Sequence, residues 1–327
     1  MTKFVPKPSI IHYIGIIENV DNTILNYPLE SDYRFEKLEW KLLSAIANYR
    51  DDIVRTFGYR PNSHLSHDRL RDVFCIRRDY ADFGTHFYPK TSHRVEKLRL
   101  ELTLRLIRLT TSSAIYLARE YQVASIDNEL TVSSYGWKST EFHQDDKVTS
   151  LYEPQIQYSK RIIDKVLAKS VAKNDGESEK KLKTMLEHPF FHPTCDLAFQ
   201  NYELSFTVKN SGLAFLALIT TLEVLFGSGA HRVARNAAVL LGNSKDEAFS
   251  IYDHIRTLHD KRSKFLHSGK IRDITQDDVL VCRDYCRKCI VEVFELYQPK
   301  EKLLKILNTL GFGDRPVLSS NLTSSPR

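Results

Sequence analysis

Between residues 196 and 297 the chain is cut by glycine into segments that repeat apolar side chains at three- and four-residue spacing. Gly227-Ser-Gly229 closes one segment, Gly242 the next and Ser268-Gly269 a third. A glycine just past the last turn is a common helix stop, because it enters the left-handed region without a Cβ clash. The spacing predicts helices over 196–207, 212–226, 231–241 and 246–267. A fifth starts at Thr275-Gln-Asp-Asp278, a capping box with Asp in place of Glu, and runs to about 297. A short helix over 303–310 and a polar tail over 319–327, expected to be disordered, complete the chain. With only 12 Gly and 11 Pro in 327 residues, breakers are too few for a sandwich of many short strands. No internal repeat is visible.

The first half reads less regularly. Residues 9–20 are rich in Ile and end at a turn-like Asp21-Asn22, which predicts a strand, and one or two more are expected up to 38. Leu38, Leu42, Ile46 and Tyr49 predict a helix over 36–54. Residues 55–93 read as loops and short elements. Leu98, Leu102, Leu106 and Leu109 lie on one stripe of a long amphipathic helix over 98–121. A short strand near 130–132 and a helix over 152–172 follow. Residues 173–181 carry no apolar side chain and make the best interior linker, and the proline-bearing segment 188–193 reads as a rigid connector. The expected fold is mainly α. An α+β or mostly helical N-terminal region over 1–190 precedes a four- to five-helix bundle over 191–298, then a short helix and tail over 299–327.

Composition narrows the setting. Five cysteines, an odd count with three at 282, 286 and 289, do not make a disulfide framework, so a reducing compartment is expected. The central charge-free stretch, 210–222, is shorter than the ~20 residues a membrane-spanning helix needs. The first eight residues hold no apolar core of the signal-peptide kind. A cytoplasmic protein without a membrane partner is expected. The net charge of +6 permits a polyanionic partner without demanding one.

The fourth helix of the bundle carries the chemistry. Ile251, Ile255, Leu258, Arg262 and Phe265 form a single stripe, with Arg262 where the pattern expects an apolar side chain. A guanidinium cannot shed its charge, so it needs a partner or a ligand there. A snorkelling arginine, or one paired with an acid such as Glu223, satisfies the pattern as well as a ligand does. His267 falls in the last turn, where the helix dipole favours the protonated imidazole or where it serves only as a cap. An Arg and a titrating His at one helix end suit an anionic substrate.

The segment Leu258-His-Asp-Lys-Arg-Ser-Lys-Phe-Leu-His-Ser-Gly269 resembles the signature of HEPN domains, and more narrowly of the Apea-like branch, whose motif reads Arg-Ser-x-x-x-His-Gly. Two upstream blocks are similar to that branch. Leu218-Ile-Thr-Thr-Leu-Glu-Val-Leu-Phe226 looks like its apolar helix with a central Leu-Glu. Arg232-Val-Ala-Arg-Asn-Ala-Ala-Val-Leu-Leu-Gly242 looks like its Arg-x-Ala-x-Leu-Leu-Gly helix. The three blocks keep the family's order and cover about 55 residues. One departure stands out: Ser268 intervenes between His267 and Gly269, which moves the expected helix stop by one residue and bears on the imidazole's aim. A fainter resemblance, through Leu100-x-x-x-Leu104-Arg-Leu106, links 1–190 to the region preceding the domain in some Apea-like proteins.

The resemblance implies a HEPN bundle that pairs as a homodimer through its C-terminal half, and metal-independent RNA cleavage in antiviral defence or stress. His267 would be the general acid or base, and Arg262 would hold the phosphate. Ser263 and Glu223 would support them, and no cofactor or metal is implied. The alternative is a non-catalytic module that binds RNA, a nucleotide or a protein.

Other constellations weigh less. His188, His192 and Cys195 have a spacing that suits zinc, but no clear fourth ligand lies nearby. Cys282, Cys286 and Cys289 share one helix face and read as small core residues. His64 and His67 sit in a polar segment without a metalloprotease pattern. Arg94, Lys97, Arg99, Arg105, Arg108 and Arg119 read as a solvated helix face, with an RNA-tracking stripe as the other reading.

Overall fold

The structure is a computed structural model. It describes residues 9–29, 33–49, 73–82, 90–111, 114–126, 129–134, 150–168, 175–268 and 274–318. The chain divides into two compact units, residues 1–94 with 113–161 and residues 95–112 with 162–327. The boundary expected near 190 therefore falls inside the second unit. The fold is mainly helical with an N-terminal sheet.

The first unit is built on a five-stranded antiparallel sheet of order β2-β3-β1-β4-β5. Its strands are β1 (Ser9–Glu18), β2 (Arg34–Lys37), β3 (Phe74–Asp82), β4 (Tyr116–Ile126) and β5 (Glu129–Ser134). β1 is central, pairs on both edges and is buried from Ile11 to Ile17. That explains why it is apolar almost throughout, His12 being the exception between Ile11 and Ile17. Ile14, Ile16, Cys75, Tyr121 and Val123 share one face, which meets Leu42, Leu43 and Ile46 of helix α1 (Trp40–Tyr49).

Three expectations fail here, each for a physical reason. The helix expected over 36–54 loses its start, because Glu36 and Lys37 pair with Cys75 and Phe74 in β2. The strand β3 was hidden by its charges. Its Arg77 bonds Glu36, Glu39 and Asp79, while Asp79 also takes His12 and Arg34. Such charges mask the alternation that marks a strand, yet paired they can lie on a sheet face. The helix expected over 98–121 is instead α2 (Lys90–Thr111), and residues 116–121 belong to β4. Thr110 and Thr111 turn their hydroxyls back to the carbonyls of Leu106 and Ile107 at its end. Pairing with β1 then overrides the helical preference of the following Leu-Ala-Arg-Glu.

The second unit is helical. It holds most of α2, then α3 (Glu153–Leu167) from Ile162 on, and α4 (Asp175–Glu187), α5 (Pro193–Thr207), α6 (Ser211–Phe226), α7 (Ala230–Leu241), α8 (Lys245–Ser268), α9 (Gln276–Leu296) and α10 (Lys300–Thr309). The linker expected over 173–181 is largely α4. Leu182 and Met185 bury one face of it, and Glu179 pairs with Lys183 one turn on. The connector 188–192 is present, and the bundle helices match the expected ones within a few residues. The capping box at Thr275 and Asp278 is formed in both directions. Cys282, Cys286 and Cys289 are fully buried, and the Cys286 thiol donates to the carbonyl of Leu218. Tyr297 caps α9 in the left-handed region, at φ 44°, and is exposed. The tail over 319–327 lies outside the described residues.

α6 is apolar around most of its circumference and touches α5, α7, α8, α9 and α10. A second anchor is ionic. Glu203 of α5 accepts from Arg105 at 3.1 Å and from Arg108 at 3.1 and 2.7 Å. These two arginines therefore join neither a solvated face nor an RNA-tracking stripe, and Arg119 lies apart on β4. The side chains of Arg94 and Lys97 lie outside the described residues. No single helix among the described residues is long and apolar enough to cross a membrane.

Burial would raise the Glu203 carboxyl, but the two guanidinium groups outweigh it and hold it below its ordinary value. Removing the carboxylate takes away the ion-pair partner that Arg105 and Arg108 share, so Glu203→Ala is expected to cost about 3–5 kcal/mol in urea unfolding. The contribution is present above the ordinary glutamate pKa of about 4.3 and fades as pH falls toward the folded value. Glu203→Gln is expected to flatten that part of the stability–pH curve.

Candidate functional site

The four residues singled out at the helix end lie on two packed helices, α6 and α8. On α8, Ile251, Ile255, Leu258 and Phe265 are buried, as the stripe predicts. Arg262 occupies the same stripe, but its side chain is 37% exposed. Its Nη2 stands 3.9 Å from Oε1 of Glu223 on α6, an ion pair longer than a hydrogen bond. Glu223 lies in the last turn of α6, where the negative end of the helix dipole disfavours a carboxylate. Arg262 supplies the compensating charge.

Two contacts pin the stretch of α8 that carries Arg262. Lys261 Nζ donates to both oxygens of Asp278, at 2.7 and 2.8 Å. Asp278 is also the acidic half of the capping box and accepts from the backbone N–H of Thr275 at 3.0 Å. Burial works against its charge, but Lys261 and Thr275 prevail and lower its pKa. On the other side, Phe265 presses its ring on Gly212 near the start of α6, where an added Cβ would stand 2.9 Å from Cζ. Arg262 is held between these contacts, so its Cα is fixed while its guanidinium reaches solvent.

His267 and Ser263 are exposed on α8. Five residues of helix separate His267 from Arg262 by about 7.5 Å along the axis and about 140° around it. The structure thus brings Arg262 to Glu223 but does not bring His267 to Arg262 within one chain. α8 runs through Ser268, in keeping with the shifted stop.

His259, to which the sequence pattern assigns no role, precedes Arg262 by three residues and shares its face. It is 5% exposed, and its Nε2 is buried without a hydrogen-bond partner. Burial lowers its pKa against the upward pull of Glu223, while Arg262 adds to the lowering. The available signal was a second polar side chain beside the buried stripe.

The alternative metal set is occupied by structural duties. His192 Nδ1 accepts from the backbone of Cys195 at the start of α5, and its Nε2 meets the carbonyl of Gln298 at 2.9 Å. Cys195 is fully buried. Among the described residues, no group of three or more His, Cys, Asp or Glu is placed to hold a metal ion. His64 and His67 lie outside the described residues. The chain matches no family model, no curated protein and no solved structure.

Asp278→Ala removes the cap and the Lys261 bond together. It is expected to cost about 1–2 kcal/mol in chemical unfolding. In the wild type this contribution is present above about pH 4 and is lost as the carboxyl protonates. A pH–stability curve of the variant is expected to lack that acid loss.

Proposed function

We propose that this chain is a metal-independent endoribonuclease of the Apea-like HEPN type, acting in defence or stress. One observation carries the reading. Arg262 sits on an otherwise buried stripe, half open to solvent, and is only loosely held by Glu223 at 3.9 Å. A guanidinium in that state is fixed at its root and available to an anion at its tip. Ser263 and His267, both exposed, follow it on the same helix.

In this reading a phosphodiester binds to Arg262. His267 takes the proton from the ribose 2′-hydroxyl, whose oxygen attacks the adjacent phosphorus. Arg262 offsets the charge that builds on the phosphoryl oxygens. The P–O5′ bond breaks, the leaving oxygen takes a proton, and a 2′,3′-cyclic phosphate results. Because His267 and Arg262 lie about 140° apart on one helix, a cleft lined by two copies of the chain completes the site better than one copy does. A homodimer through the C-terminal bundle is part of the proposal. The same separation favours the second reading, a module that binds RNA, a nucleotide or a protein without cleaving it.

Purified full-length protein is expected to cleave RNA, but not DNA, in the presence of EDTA. Arg262→Ala and His267→Ala are each expected to slow cleavage by about 10²–10⁴-fold. Cleavage that persists in both variants would remove the site from consideration. RNA binding by the wild type without any cleavage would favour the binding module.

A further inference from the structure

His259 is a buried side chain with an unmet hydrogen-bonding atom, one helical turn before Arg262 on α8. A buried polar atom without a partner is uncommon in a folded protein and costs free energy. Across the α6–α8 contact lies Glu223, which no hydrogen bond ties to Arg262 at 3.9 Å. A carboxylate has about four acceptor positions, so Glu223 keeps capacity for a second donor. The charged groups that bear on His259 are Glu223 of α6 and, on its own helix, Arg262 and Asp260. From the other helices packed on α8, His231 of α7 is engaged with Tyr252, and Asp278 of α9 holds Lys261.

Resting on the reading of Arg262 as the anion-binding group, we propose that His259 is a positioning residue: its Nε2 takes up the Glu223 carboxylate when Arg262 turns to a phosphodiester. Without such a donor, the departure of Arg262 would strand Glu223 at the negative end of α6. With it, the carboxylate passes from one donor to the other, and Arg262 is released at lower cost. Protonation of His259 strengthens the second bond, since a charge-assisted hydrogen bond exceeds a neutral one. The exchange therefore favours substrate binding at mildly acidic pH, and His259 itself does not touch the substrate.

Two measurements on the full chain test this. The first follows the imidazole titration of His259 by NMR without any nucleic acid. Glu223→Gln is expected to lower its midpoint, because the carboxylate favours the charged ring, and Arg262→Ala is expected to raise it. A midpoint that moves in neither variant overturns the proposal. The second uses an RNA oligonucleotide with 2′-O-methyl groups, which cannot be cleaved. His259→Leu is expected to weaken its binding by about five- to tenfold, the worth of one hydrogen bond. His259→Gln keeps a donor near the position of Nε2 and is expected to restore most of the affinity while flattening its pH profile. Equal affinity in wild type and His259→Leu, or no rescue by Gln, overturns the proposal. Should the wild type fail to bind the oligonucleotide, the ribonuclease reading falls. The titration would still decide whether His259 and Arg262 share Glu223.

Discussion

A helix that is apolar around most of its circumference has to be enclosed by its neighbours, and α6 is such a helix. Its buried residues run from Gly212 to Phe226 and leave one stripe, through Leu213, Leu216, Thr220 and Glu223, at least partly open. Water must be excluded from the buried residues, so five neighbouring helices close around it. The rest of the second unit follows from this enclosure. The small side chains Ala214 and Ala217 allow close approach, while Phe215, Leu218, Leu222 and Phe226 fill the space between helices. The one ionised group that this helix carries, Glu223, is placed in its final turn, at the rim of the enclosure. The candidate site is therefore a by-product of packing as much as of chemistry. The acid demands a cation, and α8, wrapped against α6, delivers Arg262.

Charges buried at the rim recur elsewhere and serve a different purpose. Glu203 with Arg105 and Arg108 ties α2 to α5, and Arg283 of α9 lies 4.0 Å from the Phe206 ring while bonding the carbonyl of Ser205. Arg235 reaches the carbonyls of Leu307 and Leu310 and so completes the end of α10. In each of these the guanidinium is held by hydrogen bonds within the fold. Arg262, beyond hydrogen-bond reach of its acid, differs from them in this respect, and the proposed anion-binding role rests on that difference.

The bundle was readable from its punctuation. Gly227, at φ 89°, and the Thr275–Asp278 box mark ends that depend on local backbone chemistry, and local chemistry is what a sequence displays directly. Arg262 and Glu223 could be paired in advance because each broke an apolar pattern that had to be repaired. The sheet was harder. β3 and β4 owe their form to partners far along the chain, and the charges of Arg77 and Asp79 hid the alternation. His259 escaped notice for a related reason. A histidine beside a stripe is ordinary, and only the fold shows that its Nε2 faces no partner. Residues 173–181 misled because a polar run resembles a linker until the next turn, with Leu182 and Met185, is shown to pack.

The cysteines give the molecule an internal reporter. All five thiols are buried, Cys75 within the sheet unit and Cys195, Cys282, Cys286 and Cys289 within the helical one. Burial pushes the Cys75, Cys286 and Cys289 thiols up, so the reactive thiolate is scarce as long as the chain stays closed. Alkylation then proceeds only through opening events. The rate at which Cys75 is modified reads the opening of one unit, and the rate at the other four reads that of its neighbour. A chain without a single disulfide thus carries, in its unreacted sulfur, a separate clock for each of its two halves.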